Sequence, residues 1–81
     1  MKQHEFKKIT FLIILEKYKI TFEQFANQIG VSTTALKNRL DKDFIFRLIE
    51  IDKMFNILPY EIVKFIMFDI NGLYEKVKIN I

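Results

Sequence analysis

The sequence predicts an all-α domain of five helices followed by a short C-terminal β extension at about 70–81. Three observations carry this. Apolar residues recur at helical spacing from residue 6 onward. The two glycines and the one proline (Gly30, Gly72 and Pro59) fall where periodic segments break. Near the end the pattern changes: Asn71-Gly72 is a hairpin-type dipeptide, and Val77, Ile79 and Ile81 then alternate with Lys78 and Asn80. At 81 residues the chain is a single domain, 1–81, and an apolar fraction of 51% is enough to build a core.

Each element has its own signal. Over 6–18, Phe11, Ile14, Leu15 and Tyr18 form one stripe at i, i+3, i+4 and i+7. Phe6, Ile9, Leu12 and Ile13 broaden it, toward the core floor or a subunit contact. Thr21 is an N-cap for a second helix over 22–29, whose inner face is Phe25, Ala26 and Ile29. Gly30 can stop that helix in a left-handed conformation. Ser32 caps a third helix over 33–40, with Leu36 and Leu40 inward and Thr33, Thr34, Lys37 and Asn38 outward. A fourth helix ends near Asn56, with Leu48, Ile51, Met54 and Phe55 expected inside. Asp43 would cap an early start, whereas Arg47 is a poor cap for a later one. Pro59 suits the first position of a fifth helix, with Glu61 favourable to its dipole.

Composition excludes several functions. There is no cysteine, so disulfides, thiolate catalysis and Cys-based zinc sites are out. His4 is the only histidine and Ser32 the only serine, and no nucleophile triad, Gly-rich phosphate loop or metal-ligand spacing exists. An enzyme is therefore not expected, nor a cofactor or metal. Asp41 and Asp43 read as a solvated loop, and Phe65 and Phe68 as core or dimer packing. The run Ile9 to Leu15 is too short for a membrane span or signal peptide, so a cytoplasmic protein without a membrane partner is expected. The net charge is +3, unevenly placed: residues 1–40 hold seven basic and three acidic residues, 41–81 six and seven. Such asymmetry suits an anionic partner, although an abundance of Lys in an A/T-rich genome produces it as well.

The informative stretch is Thr21 to Leu40, TFEQFANQIGVSTTALKNRL. Ala26 is small enough for two helices to approach, Gly30 allows the turn, Val31 plugs the joint, Ser32 caps and Leu36 anchors. The product is a projecting helix with a polar, basic outer face, which fits a DNA major groove. This stretch resembles the Cro/cI-type (Xre-like) helix-turn-helix of phage repressors. Arg39-Leu40, Phe46, Leu48, Glu50-Ile51, Met54 and the segment Phe55 to Ile62 extend the resemblance, over about 11–65 in all. It implies a lambda-repressor-like fold with the helix-turn-helix at about 21–40. The implied function is sequence-specific binding of double-stranded DNA and transcriptional repression by a phage or mobile-element protein. Ser32, Thr33, Thr34, Lys37 and Asn38 sit where members touch bases or neighbouring phosphates, and Arg39 and Lys42 are phosphate candidates.

Three positions depart from the family's habit. Phe22 stands where members often carry a phosphate-binding Gln, Leu15 where a basic residue is common, and Lys42 where Gly often follows the recognition helix. These changes favour an alternative, a protein-binding module on the same scaffold, such as an anti-repressor or an inhibitor of a host protein. On the DNA-binding reading the protein is a homodimer, because one small reading helix covers few base pairs. The apolar segment Ile70 to Ile81 is its adhesive, pairing through a strand edge. A chain of 81 residues leaves regulation to concentration, degradation or a protein antagonist.

Overall fold

Local capping chemistry sets the first half of the fold. The computed structural model describes the backbone at residues 2–42 and 44–79 and the side chains through Lys76. Its elements are α1 (Gln3–Lys17), α2 (Phe22–Ile29), α3 (Thr33–Asp41), α4 (Leu48–Met54), α5 (Tyr60–Lys64), a π-helical turn (Phe65–Asp69) and α6 (Ile70–Ile79). Phe65 and Ile70 keep right-handed helical dihedrals, so α5, the π turn and α6 form one continuous rod. All-α architecture is as expected, and no strand occurs among the described residues.

α2 begins at a complete capping box. The Thr21 hydroxyl accepts from the Gln24 N–H at 3.0 Å, and the Gln24 side chain accepts from the Thr21 N–H at 3.0 Å. It ends in a Schellman motif, with Val31 N–H donating to the Ala26 carbonyl at 3.0 Å and Gly30 N–H to Asn27 at 3.2 Å. Gly30 has φ +83°. The same closure ends α1, where Lys19 takes φ +57° and Ile20 N–H reaches the Leu15 carbonyl at 2.9 Å. No glycine marked that turn.

The core runs through every element from α1 to the π turn, with Met54, Leu58, Val63 and Ile66 joining residues of α1, α2 and α3. Phe11 is fully buried, with its ring edge-on to Phe25 at 5.0 Å and to Phe44 at 5.8 Å. Phe44 is held at φ +55°, an uncommon conformation for a bulky residue, and its N–H donates to the Arg39 carbonyl at 2.7 Å. It stacks on from Phe11 to Phe46 at 5.5 Å, so the connection after α3 feeds two aromatic rings into the core. Burying a ring of this size stabilises by roughly 1.5–3 kcal/mol, enough to hold a strained residue.

Three expectations need correction. α4 starts at Leu48, and Leu48 is 85% exposed while Phe55 is also exposed. The inward face runs through Glu50, Ile51 and Met54 instead, a rotation that turns Leu48 and Phe55 to the flank of the helix. The proposed cap at Asp43 lies outside the described residues, and the amide at Arg47 is satisfied by the Glu50 carboxylate at 2.8 Å. Pro59 is the N-cap and Tyr60 the first helical residue.

The β extension is the third. Residues 70–79 are helical, and Asn71 and Gly72 lie inside α6 rather than in a hairpin turn; residues 80 and 81 lie outside the described set. The cause is docking on α1. Ile70 is buried, Tyr74 meets Phe6 edge-on at 5.5 Å, and the Gln3 side-chain amide donates to Asn71 Oδ1 at 2.6 Å. Tertiary burial here outweighs the local turn preference of Asn-Gly.

Two glycine substitutions check these turns. Gly30→Val is expected to lower unfolding stability by more than about 1 kcal/mol, since a β-branched residue is strained at positive φ and the Lys53 ammonium lies 3.2 Å from the new Cβ. Gly72→Ala is expected to raise the stability of the dilute monomer by about 0.5–1 kcal/mol, as in an exposed helix interior, because among the described residues nothing lies within 4 Å of its Cβ position. Denaturant melts measure both. A hairpin at 71–72 would reverse the second sign.

Candidate nucleic-acid interface

α3 is the element with a prepared outer face. The Ser32 hydroxyl accepts from the Ala35 N–H at 3.0 Å and starts the helix. Leu36 and Leu40 are fully buried and fix its rotation. Thr33, Thr34, Lys37, Asn38 and Asp41 then share one exposed stripe, with Lys42 exposed at its end. Ser32, Thr33, Thr34, Lys37, Asn38 and Lys42 therefore stand together at the surface, as the sequence led us to expect.

Arg39 does not stand with them. Its guanidinium pairs with the Glu50 carboxylate and lies over the Phe46 ring at 5.5 Å from the centroid. The side chains are only 20% and 5% exposed. Glu50 in turn accepts the Arg47 N–H, so one carboxylate caps α4 and anchors α3. Arg39 is engaged in holding α3 against α4 rather than projecting from it. The sequence signal that could have found this is the i, i+4 spacing of Glu50 to Met54, a residue expected inside.

The stripe carries one carboxylate, Asp41, and Lys8 of α1 answers it at 2.6 Å. That hydrogen bond, with the nearby charges of Lys8, Lys37 and His4, holds the Asp41 carboxyl below its ordinary value. Asp41 stays a carboxylate, and Lys8 offsets its charge in a formally neutral pair. Beside the stripe runs a groove bounded by Lys8, Leu12, Phe22, Thr33, Thr34, Lys37 and Leu40. Its floor is apolar. Phe22 packs half-buried against the core, so a ring lies where a polar side chain was looked for. Lys8 and Leu12 were not among the expected site residues. They share a line on α1 at i and i+4, but only the packing of α1 on α3 brings that line to the site.

A second notch, between Asn38, Arg39, Lys42 and Ile45, lies at the C-terminal end of α3. The neighbouring apolar side chains Ile45, Leu48 and Ile49 are all exposed. Among the described residues no cluster of His, Cys, Asp and Glu could hold a metal, and no helix is long and apolar enough to cross a membrane.

The Arg39–Glu50 pair yields a stability test. Arg39→Ala leaves a buried carboxylate with one backbone donor and is expected to cost about 3 kcal/mol, whereas Lys42→Ala is expected to change stability by less than about 0.5 kcal/mol. Arg39→Met with Glu50→Met is expected to recover most of the loss. Urea titrations of the four proteins measure it. Compared with protein-family models, with curated proteins and with solved structures, the chain matches none of them.

Proposed function

We propose that this chain is a sequence-specific double-stranded DNA-binding repressor on a lambda-repressor-like helix-turn-helix scaffold. On this reading α2 and α3 form the motif, and α3 enters the major groove. One observation carries the proposal: the exposed stripe of Thr33, Thr34, Lys37 and Asn38 on a helix whose rotation is fixed by buried Leu36 and Leu40. Thr methyls suit thymine methyls, Asn suits the adenine edge and Lys suits guanine. Ser32 and Lys42, at the two ends, face the flanking phosphates. Arg39 positions α3 instead of touching the backbone. Repression follows from occlusion: a homodimer on two half-sites about 34–36 Å apart blocks polymerase. The resemblance to phage repressors makes a phage or other mobile element the source, acting in the cytoplasm.

A second reading has its own support. The apolar floor at Leu12 and Phe22 and the exposed Ile45, Leu48 and Ile49 suit a protein ligand better than a phosphate backbone. A protein-binding module would use the same face.

Titration of variants on a duplex enriched from random sequence, and on a scrambled duplex, separates the two readings. Thr34→Ala, Lys37→Ala and Asn38→Ala are each expected to cost about 1–3 kcal/mol on the enriched duplex, with a smaller loss for Thr34 and Asn38 on the scrambled one. Lys42→Ala is expected to weaken both duplexes alike and to flatten the salt slope by about one unit. Failure to enrich any sequence, with Thr34→Ala and Asn38→Ala equal to the parent, selects the protein-binding module.

A further inference from the structure

Among the described residues, one face of the C-terminal rod is left exposed. α6 docks on α1 through Ile70 and Tyr74. On the far side Phe68, Asp69, Gly72, Leu73 and Lys76 line a shallow groove, bounded at one end by Phe65, which packs half-buried against the core. Their spacing of three and four residues makes them one continuous stripe. Phe68 is 68% exposed and Leu73 is 38% exposed. Asp69 and Lys76 carry the only charges on the stripe, and neither is in an ion pair among the described residues.

The order of these residues is what identifies the occupant. Asp69 and Lys76 are opposite charges placed symmetrically about the point between Gly72 and Leu73. Turn a second copy of the rod antiparallel about a two-fold axis through that point. Asp69 of each copy then faces Lys76 of the other, and Gly72 of each faces Leu73 of the other. Nothing lies within 4 Å of the Cβ position of Gly72, so there is room for a leucine side chain. Each ion pair sits about 5 Å along the rod from the axis. A parallel pairing of the same face would set Asp69 against Asp69 and Lys76 against Lys76.

We infer that this face, from Asp69 to Lys76, is a self-complementary interface through which two copies of the chain pack antiparallel about a two-fold axis between Gly72 and Leu73. The inference rests on the dimer of the proposed function, not on its DNA target. It replaces the strand-edge contact with a helix-on-helix one on the same segment.

Sedimentation of the full chain without DNA, at high micromolar concentration, tests it. The parent is expected to be a dimer. Asp69→Lys and Lys76→Asp each bring two like-charged pairs together and are expected to weaken the dimer about tenfold or more. Circular dichroism is expected to show both folded, since both side chains are exposed. An equimolar mixture of the two variants is expected to restore dimer, as heterodimer, because each Lys then faces an Asp. A parent dimer with both variants equally dimeric overturns this interface and leaves the dimeric reading intact. A monomeric parent overturns both. Two weakened variants whose mixture stays monomeric overturn the antiparallel register.

Discussion

Glu50 is the one charged residue buried among the described residues, and much of the architecture is arranged to make that tolerable. A carboxylate removed from water costs several kcal/mol unless its oxygens are paired. Here the Arg39 guanidinium and the Arg47 N–H supply the pairing. The arrangement ties the last turn of α3 to the first turn of α4. It also gives α4, which lacks a capping side chain at its start, a carboxylate over its open amides. Phe46 completes the site by lying against the guanidinium and shielding the pair. α3 cannot rotate about its axis without separating Arg39 from Glu50, so the direction of the Thr33–Asn38 stripe depends on this interaction.

The Phe11–Phe44 contact acts from the other side of α3. Phe44 adopts a left-handed conformation at the end of a helix that lacks a glycine there. The aromatic chain Phe25, Phe11, Phe44, Phe46 runs from α2 through α1 to the entrance of α4. The strained turn and the buried pair are therefore neighbours in one structure, and the connection between α3 and α4 is built in rather than a loose linker. Lys7 over the Phe44 ring and Lys8 on Asp41 add cations of α1 to the same junction. Charge on this side of the molecule is distributed by packing as much as by composition. Lys8 is spent against Asp41, while Lys37 and Lys42 stay exposed at the stripe.

The molecule thus has two outward faces of different chemistry. The α3 face is polar and cationic with an apolar groove alongside it. The groove face of the C-terminal rod is mainly apolar and carries two opposite charges, Asp69 and Lys76. A polar, fixed face suits recognition of a polyanion with hydrogen-bonding edges, and a mainly apolar, two-fold-compatible face suits self-association. On the proposed function the first face would read DNA and the second would pair two copies of the reader. The groove floor of Leu12 and Phe22 is the feature that such a reader does not require.

What the sequence by itself determined was the short-range part. Thr21, Gln24, Gly30 and Ser32 act on amides and carbonyls within a few residues, so α2, its turn and α3 were legible to within a residue, as were the outward threonines, Lys37 and Asn38. Leu36 and Leu40 gave the inward face through helical periodicity alone. The partners of long-range contacts were not legible. Arg39 looked like any surface arginine until α4 placed Glu50 beside it. Leu48 looked like core until the Arg39–Glu50 pair and the burial of Met54 set the rotation of α4. Lys8 and Leu12 joined the site only through the packing of α1 on α3. The clearest case is 70–79, where Asn71-Gly72 and the alternating tail favour turn and strand locally. Burial of Ile70 and contact of Tyr74 with Phe6 make it a helix, because burying apolar surface against α1 outweighs a preference of about 1 kcal/mol in the backbone.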